Sequence, residues 1–138
     1  MKIKLLSPNA KVPLNNGINA GYDLYAAEST VIKSGARALI KTDIAMSIPN
    51  GYFGEIKSRS GLAAKHGIAI LTGTIDAGFL GNISVLAFNT SDIDFNVSIG
   101  DRIAQIVFLK HESPIFEQVD DLGQSERGDN GFGSSGIK

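Results

Sequence analysis

Short β-branched or alternating stretches, each stopped by Gly, Asn, Asp or Pro, limit this chain's fold more than any other feature. Apolar residues rarely recur at helical spacing. Candidate strands are Ile3–Leu6, Tyr22–Ala26, Ala38–Lys41, Ala45–Ile48, Gly54–Ser58, Ile68–Leu71, Asn82–Asn89, Phe95–Ser98 and Ile103–Leu109. Strands this short and this frequent indicate an all-β sandwich or barrel. Turn signals fall between them at Asn15-Asn16-Gly17, Lys33-Ser34-Gly35, Pro49-Asn50-Gly51 and Ile99-Gly100-Asp101. One segment departs from the pattern. Ser60–Gly67 offers a Ser able to cap a helix, a run of good helix formers, and a Gly at the stop position.

The chain's 138 residues fit one domain. A domain of that size buries roughly two-thirds of the surface its unfolded chain exposes, enough for a core without staples. Cysteine is absent, so neither a disulfide nor a thiolate metal site forms, and a reducing cytoplasm or nucleus suits the chain. A net charge of −1 argues against a general nucleic-acid binder, which needs a basic face. The opening MKIKLLSPNAKVPL has neither the apolar run of a signal peptide nor the Arg-rich character of a transit peptide. No apolar run approaches membrane-spanning length, so neither a membrane nor a nucleic acid is expected as a partner. The expected compartment is the cytoplasm, or the nucleus or host cell for a viral chain. From Gly123 onward the composition turns to Gly and Ser, with little that could build a core. The expected division is a core over 1–122 and a flexible arm over 123–138.

Five segments could carry chemistry. In Arg127–Gly136 one guanidinium, one ring and two serines sit among glycines whose backbone can approach a phosphate closely. On composition alone this is a plain flexible tail. Lys57-Ser58-Arg59-Ser60-Gly61 opens the expected helix, where free N–H groups favour an anion; an ordinary helix start reads equally well. Asp76, among apolar and small residues in Gly73–Asn82, suits a general base or a turn. Asp23, inside an apolar strand start, wants a cation or a metal-bound water unless it faces solvent. Gly100–Ile106 reads as a turn feeding a buried strand, on which Gln105 needs hydrogen-bond partners. No Walker-type loop occurs, and His66 and His111 form no cluster.

In this order the segments resemble the five motifs of the trimeric dUTPase family: AGYDLYA at 20–26, PNGYFGEIKSRSGLA at 49–63, GTIDAGFLGNI at 73–83, GDRIAQIVF at 100–108 and RGDNGFGSSG at 127–136. The resemblance covers nearly the whole chain. It implies a jelly-roll or β-clip barrel with one short helix and a C-terminal arm, assembled as a homotrimer with active sites between subunits. It implies hydrolysis of dUTP to dUMP and pyrophosphate, which limits uracil in DNA and supplies dUMP for dTMP synthesis. Asp76 would aim and deprotonate the attacking water. Arg59, Ser60 and Gly61 would hold the phosphates, with Gln105 on the α-phosphate side. The third motif would form a hairpin that reads uracil through backbone groups, Gly73 and Ile75 among them. Asp23 would hold waters around a Mg²⁺ bound mainly by the triphosphate. The arm would close over a neighbouring subunit's site, with Phe132 on uracil and Arg127, Gly133, Ser134 and Ser135 at the phosphates.

Three positions depart from the family's habit. Phe79 stands where a Tyr usually excludes the ribose hydroxyl, Leu80 where an Arg is frequent, and Glu55 where many members are basic. A dCTP deaminase of the same fold would need a catalytic Glu near the base, which the third motif lacks. A silent binding module would not require Asp76, Gln105 and the tail together.

Overall fold

Residue burial in Ser84–Asn89 shows how these strands arise. Val85, Ala87 and Asn89 are buried, whereas Ser84, Leu86 and Phe88 are only partly so. That is the period of two of a pleated strand with one covered face. A computed structural model describes residues 1–129, Thr72 by its backbone alone. Within them run β1 (Lys2–Leu5), β2 (Tyr22–Tyr25), β3 (Thr30–Ile32), β4 (Arg37–Lys41), β5 (Ile44–Ser47) and β6 (Tyr52–Lys57). The helix α1 (Ser60–His66) follows. Then come β7 (Ile68–Thr72), β8 (Thr74–Ile75), β9 (Ser84–Asn89), β10 (Phe95–Val97) and β11 (Arg102–Lys110).

All nine expected strands are present, with ends shifted by a residue or two. The sequence reading misses β3 and β8, which have three and two residues. Neither is long enough to show an alternation, and each exists through its partner, β10 for one and β6 for the other.

Every ladder among the described residues is antiparallel. The sheets are β1-β5, β3-β10, β2-β11-β6-β8 and β4-β9-β7. This is a jelly-roll-like, all-β fold. The core between them is aliphatic: Leu24, Ile32, Ile40, Ile44, Ile83, Val85 and Ile106 are almost wholly buried. Each contributes about 1.5–3 kcal/mol of burial.

One polar residue inside is fully used. Asn89 donates to the carbonyls of Ile32 (3.0 Å) and Ile93 (2.7 Å) and accepts from the Ser91 N–H and hydroxyl. It ties the β3-β10 pair to the end of β9. Turn chemistry holds too: Gly35 and Gly100 sit at φ 65° and 87°, where a side chain would strain the backbone.

Beyond β11, residues 111–129 contain no strand or helix and lie exposed. Among the described residues no helix is long and apolar enough to cross a membrane.

Candidate active site

β11 runs between β2 and β6, and its registers build one cross-strand row. Gln105 lies opposite Asp23 on one side and opposite Lys57 on the other. Leu24, Ala104, Ile106 and Ile56 point into the core, so Asp23, Gln105 and Lys57 share the outward face. Two arginines close on the row. Arg59 Nε lies 3.1 Å from Asp23 Oδ1, and Arg102 Nη1 donates to Asp23 Oδ2 at 3.3 Å. Arg59 Nη1 also donates to the Arg102 carbonyl at 3.0 Å. Two of the five guanidinium N–H donors of Arg59 are thereby spent and its direction is set, leaving the others for a ligand. A groove of about 300 Å³ lies here, lined by Arg59, Leu62, Phe95, Asp101, Arg102 and Ile103.

Gln105 is held on two sides. Its Nε2 donates to the Ser58 carbonyl at 3.0 Å. Its Oε1 lies so near Gly21 that a Cβ there would stand 2.2 Å away. Glycine at 21 is what allows the amide this position. Ser58 Oγ in turn accepts from the Ile70 N–H at 2.9 Å, fixing the end of β6 against β7.

The helix start needs one correction. Ser60 is not the cap. Arg59 occupies that place with extended backbone (φ −86°, ψ 126°) and no side-chain capping bond, because strand-like chain from β6 continues through it. Ser60 is the first helical residue and Gly61 the second, both exposed, with no acidic residue in the first turn. Gly67 ends the helix as expected, left-handed at φ 66°, its N–H donating to the Ala63 carbonyl at 3.1 Å.

Asp76 belongs to a different feature. β7 and β9 pair antiparallel, and residues 73–83 make an excursion between them. At its start, Gly73 accepts from the Ile56 N–H at 2.8 Å, and Thr74–Ile75 add to the edge of β6. Gly73 lies so close to Ile56 that a Cβ would stand 2.5 Å from the Ile56 Cβ. The chain then turns, with the Phe79 N–H on the Asp76 carbonyl at 3.0 Å. The Asp76 side chain is exposed, and its carboxylate bonds to none of the described residues. The Phe79 ring is 43% exposed and lies over Gly81, whose Cβ would meet it at 2.8 Å. The hairpin here is β7 with β9, and 73–83 is its long loop: the first limb adds to the edge of β6, and among the described residues no ladder forms within the loop itself. A groove of about 560 Å³ runs alongside, lined by Glu55–Ser58, Ile70, Leu71, Gly73 and Thr74.

The structure thus unites Asp23, Arg59 and Gln105, places Ser60 and Gly61 directly after Arg59, and carries Gly73, Ile75, Asp76 and Phe79 on a separate excursion. No side-chain hydrogen bond or ion pair joins the tip to the cluster among the described residues. Arg127 lies in an exposed turn closed by the Gly128 N–H on Ser125. Phe132, Gly133, Ser134 and Ser135 lie outside the described residues.

Arg102 is the member that sequence reasoning misses. A register shift between Arg102 and Ala104 displaces its pairing with β2, and only that long-range ladder brings it onto Asp23. Among the described residues no three His, Asp or Glu side chains gather as a metal site.

The dUTPase family profile matches residues 10–136. A deoxyuridine 5'-triphosphate nucleotidohydrolase of Arabidopsis thaliana is 44% identical, over 99% of this chain and 82% of its own length. The dUTPase of Staphylococcus bacteriophage 80alpha, solved with dUPNHPP, superposes with a TM-score of 0.90 at 38% identity, covering 99% of this chain and 98% of its own. A variant of the dUTPase from phage phi11 of S. aureus, described as coordinating a structural Mg(II) ion, superposes with a TM-score of 0.82 at 34% identity. That likeness covers 88% of this chain and 97% of the phage one.

Proposed function

The chain belongs to the dUTPase family and hydrolyses dUTP to dUMP; from that premise we propose how its own residues divide the work. Water attacks the α-phosphorus and pyrophosphate leaves. Asp76 receives the water's proton. The observation that carries this role is a carboxylate exposed and unbonded at the tip of an excursion anchored to β6 at its start. A carboxylate carried on anchored backbone, with its acceptors unspent, can orient a water without first breaking another contact.

The phosphates lie against the cluster on β2, β11 and the start of α1. Arg59 offers its remaining donors, Ser60 its hydroxyl and Gly61 its backbone N–H. Gln105 meets the α-phosphate side. Donors fixed beforehand at Asp23, Ser58 and Gly21 cost little reorganisation as charge moves to the leaving group. Gly73 and Ile75 supply backbone groups to uracil, and the Phe79 ring covers the sugar. Residues 1–122 form the core and 123–138 the arm; on closure Phe132 stacks on uracil, and Arg127, Gly133, Ser134 and Ser135 add donors at the phosphates.

The residues fit Mg²⁺ in one way. Asp23 Oδ1 and Oδ2 each face a guanidinium, yet a carboxylate has about four acceptor positions. It can still accept from the waters of an ion that the phosphates hold, and no protein cluster of three ligands is needed for that. Bound there, Mg²⁺ supplies electrophilic activation of the phosphate.

Two observations support a homotrimer. The outer face of the β4-β9-β7 sheet carries an apolar patch flanked by Arg37 and Lys41, with Leu39 62% exposed beside Leu86 and Phe88. Ile115, Phe116 and Leu122 are each more than 90% exposed. Surfaces of this kind mark contact sites, and copies of the chain bring one protomer's excursion to another's cluster.

The test is pyrophosphate release from dUTP, with dTTP, dCTP and UTP as controls, by the native chain and by Asp76→Asn. Turnover by the variant is expected to fall by on the order of 10²-fold or more with the fold intact. Native-level turnover by Asp76→Asn removes the residue from the mechanism.

A further inference from the structure

The far foot of the excursion is fastened differently from the near one. Its near foot lies on β6; its far foot, Asn82–Ile83, is fixed at the corner between β4 and β5. The Ile83 N–H donates to the Ile44 carbonyl at 2.8 Å, and the Thr42 hydroxyl donates to the Ile83 carbonyl at 2.5 Å. One residue earlier, Asn82 Nδ2 donates to Asp43 Oδ1 at 2.7 Å. The Asp43 carbonyl accepts from the Leu6 N–H at 2.8 Å, so the corner is itself braced by the chain after β1.

This contact exists at a local expense. Asp43 is the non-glycine residue held at positive φ, 51°, among those described. Asn82 Oδ1 is buried and has no partner among the described residues. A left-handed non-glycine residue and an unsatisfied buried acceptor each oppose folding, and both persist only where the surroundings enforce them. The backbone bonds of Ile83 already close the sheet. The side-chain pair adds orientation to Asn82, and Asn82 follows directly on Gly81, on which the Phe79 ring lies.

We propose that Asp43 and Asn82 are positioning residues that set selectivity for the deoxy sugar, by fixing the segment on which the Phe79 ring rests. The inference depends on the reading that Phe79 covers the sugar. Without a hydroxyl to anchor it, a Phe ring keeps its place only through what it packs on. Gly81 supplies that seat, and the Asn82–Asp43 bond fixes the residue after it to the corner between β4 and β5.

The experiment compares kcat/KM for dUTP and UTP in the native protein, Phe79→Ala, Asn82→Ala, Asp43→Asn, and the double variant Asp43→Asn with Asn82→Asp. Asn82→Ala is expected to lower the dUTP:UTP ratio about tenfold, mostly through KM, because a displaced ring no longer distinguishes the sugars. The double variant exchanges donor and acceptor and is expected to recover most of the ratio; Asn tolerates positive φ at position 43. If Asn82→Ala does not fold, Asn82→Gln, which keeps the amide but misplaces it, carries the same expectation. A ratio that falls with Phe79→Ala but holds in Asn82→Ala overturns the inference alone. An unchanged ratio in Phe79→Ala overturns the sugar reading and the inference with it. Variants that melt earlier at a native ratio reduce the pair to a structural brace and overturn the proposal.

Discussion

Gly21→Ala should separate stability from activity. The added Cβ would stand 2.2 Å from Gln105 Oε1, 2.9 Å from its Cδ and 3.2 Å from its Cβ. An ordinary contact requires the amide to retreat by about 1 Å. The atoms that must move end a flexible side chain, so β2 and β11 can stay in register. What is lost is the bond from Gln105 to the Ser58 carbonyl, about 0.5–1.5 kcal/mol at a partly exposed site. The melting temperature should fall by only a few degrees, roughly 2–6 °C. Turnover should suffer more, since a misplacement of about 1 Å at a group meeting the reacting phosphate can cost up to 10²-fold. The assay is pyrophosphate release alongside thermal melting, in the native and Gln105→Ala backgrounds. With Gln105 already truncated there is no amide to displace, so Gly21→Ala should then change turnover little. Native turnover in the single variant, or an equal loss in both backgrounds, would refute the reasoning.

Other substitutions probe the remaining parts. At Gly73→Ala the new Cβ meets the Ile56 Cβ, carbonyl oxygen and Cα at 2.5, 2.9 and 3.1 Å; backbone cannot yield as a side chain does. Stability should fall by about 1–3 kcal/mol and turnover with it, read by denaturant melts and steady-state kinetics. Removing residues 123–138 should leave the circular dichroism spectrum and melting temperature nearly native but abolish most turnover; an active truncation rejects the arm's role. The Ser7 hydroxyl and the Asn82 amide hold the Asp43 carboxyl below its ordinary value of 3.8. Its contribution to stability is therefore complete above pH 3.8 and is lost as the pH falls through the lower folded value. Asp43→Asn should flatten that acid limb of the melting curve, and an unaltered limb would show that the carboxyl plays no part in it.

Legibility in the sequence followed the range of the interactions. Local patterns announced nine strands, the short helix and its Gly67 stop, because alternation, helix propensity and turn chemistry act over a few residues. Asp23, Arg59 and Gln105 stand out in the sequence as candidate site residues, yet their gathering depends on the pairing of β2, β11 and β6, which no local pattern encodes. Arg102 escaped for that reason. So did the bond between Asn82 and Asp43, 39 positions apart. Ser60 misled because a helix-capping residue looks the same whether the chain before it turns or, as here, arrives extended from β6. The glycines of 73–83 suit a tight hairpin, but the pairing closes only at β7 and β9 on either side, and the first limb's place on the edge of β6 is a long-range contact that no local pattern encodes.

The most direct test of the reaction itself is a single turnover of dUTP in water enriched in heavy oxygen, with both products weighed by mass spectrometry. Attack at the innermost phosphorus puts the label in dUMP and leaves the released pyrophosphate unlabelled. Label in the pyrophosphate, with dUMP unlabelled, would place the attack at the β-phosphorus and contradict the assignment of Asp76 and Gln105.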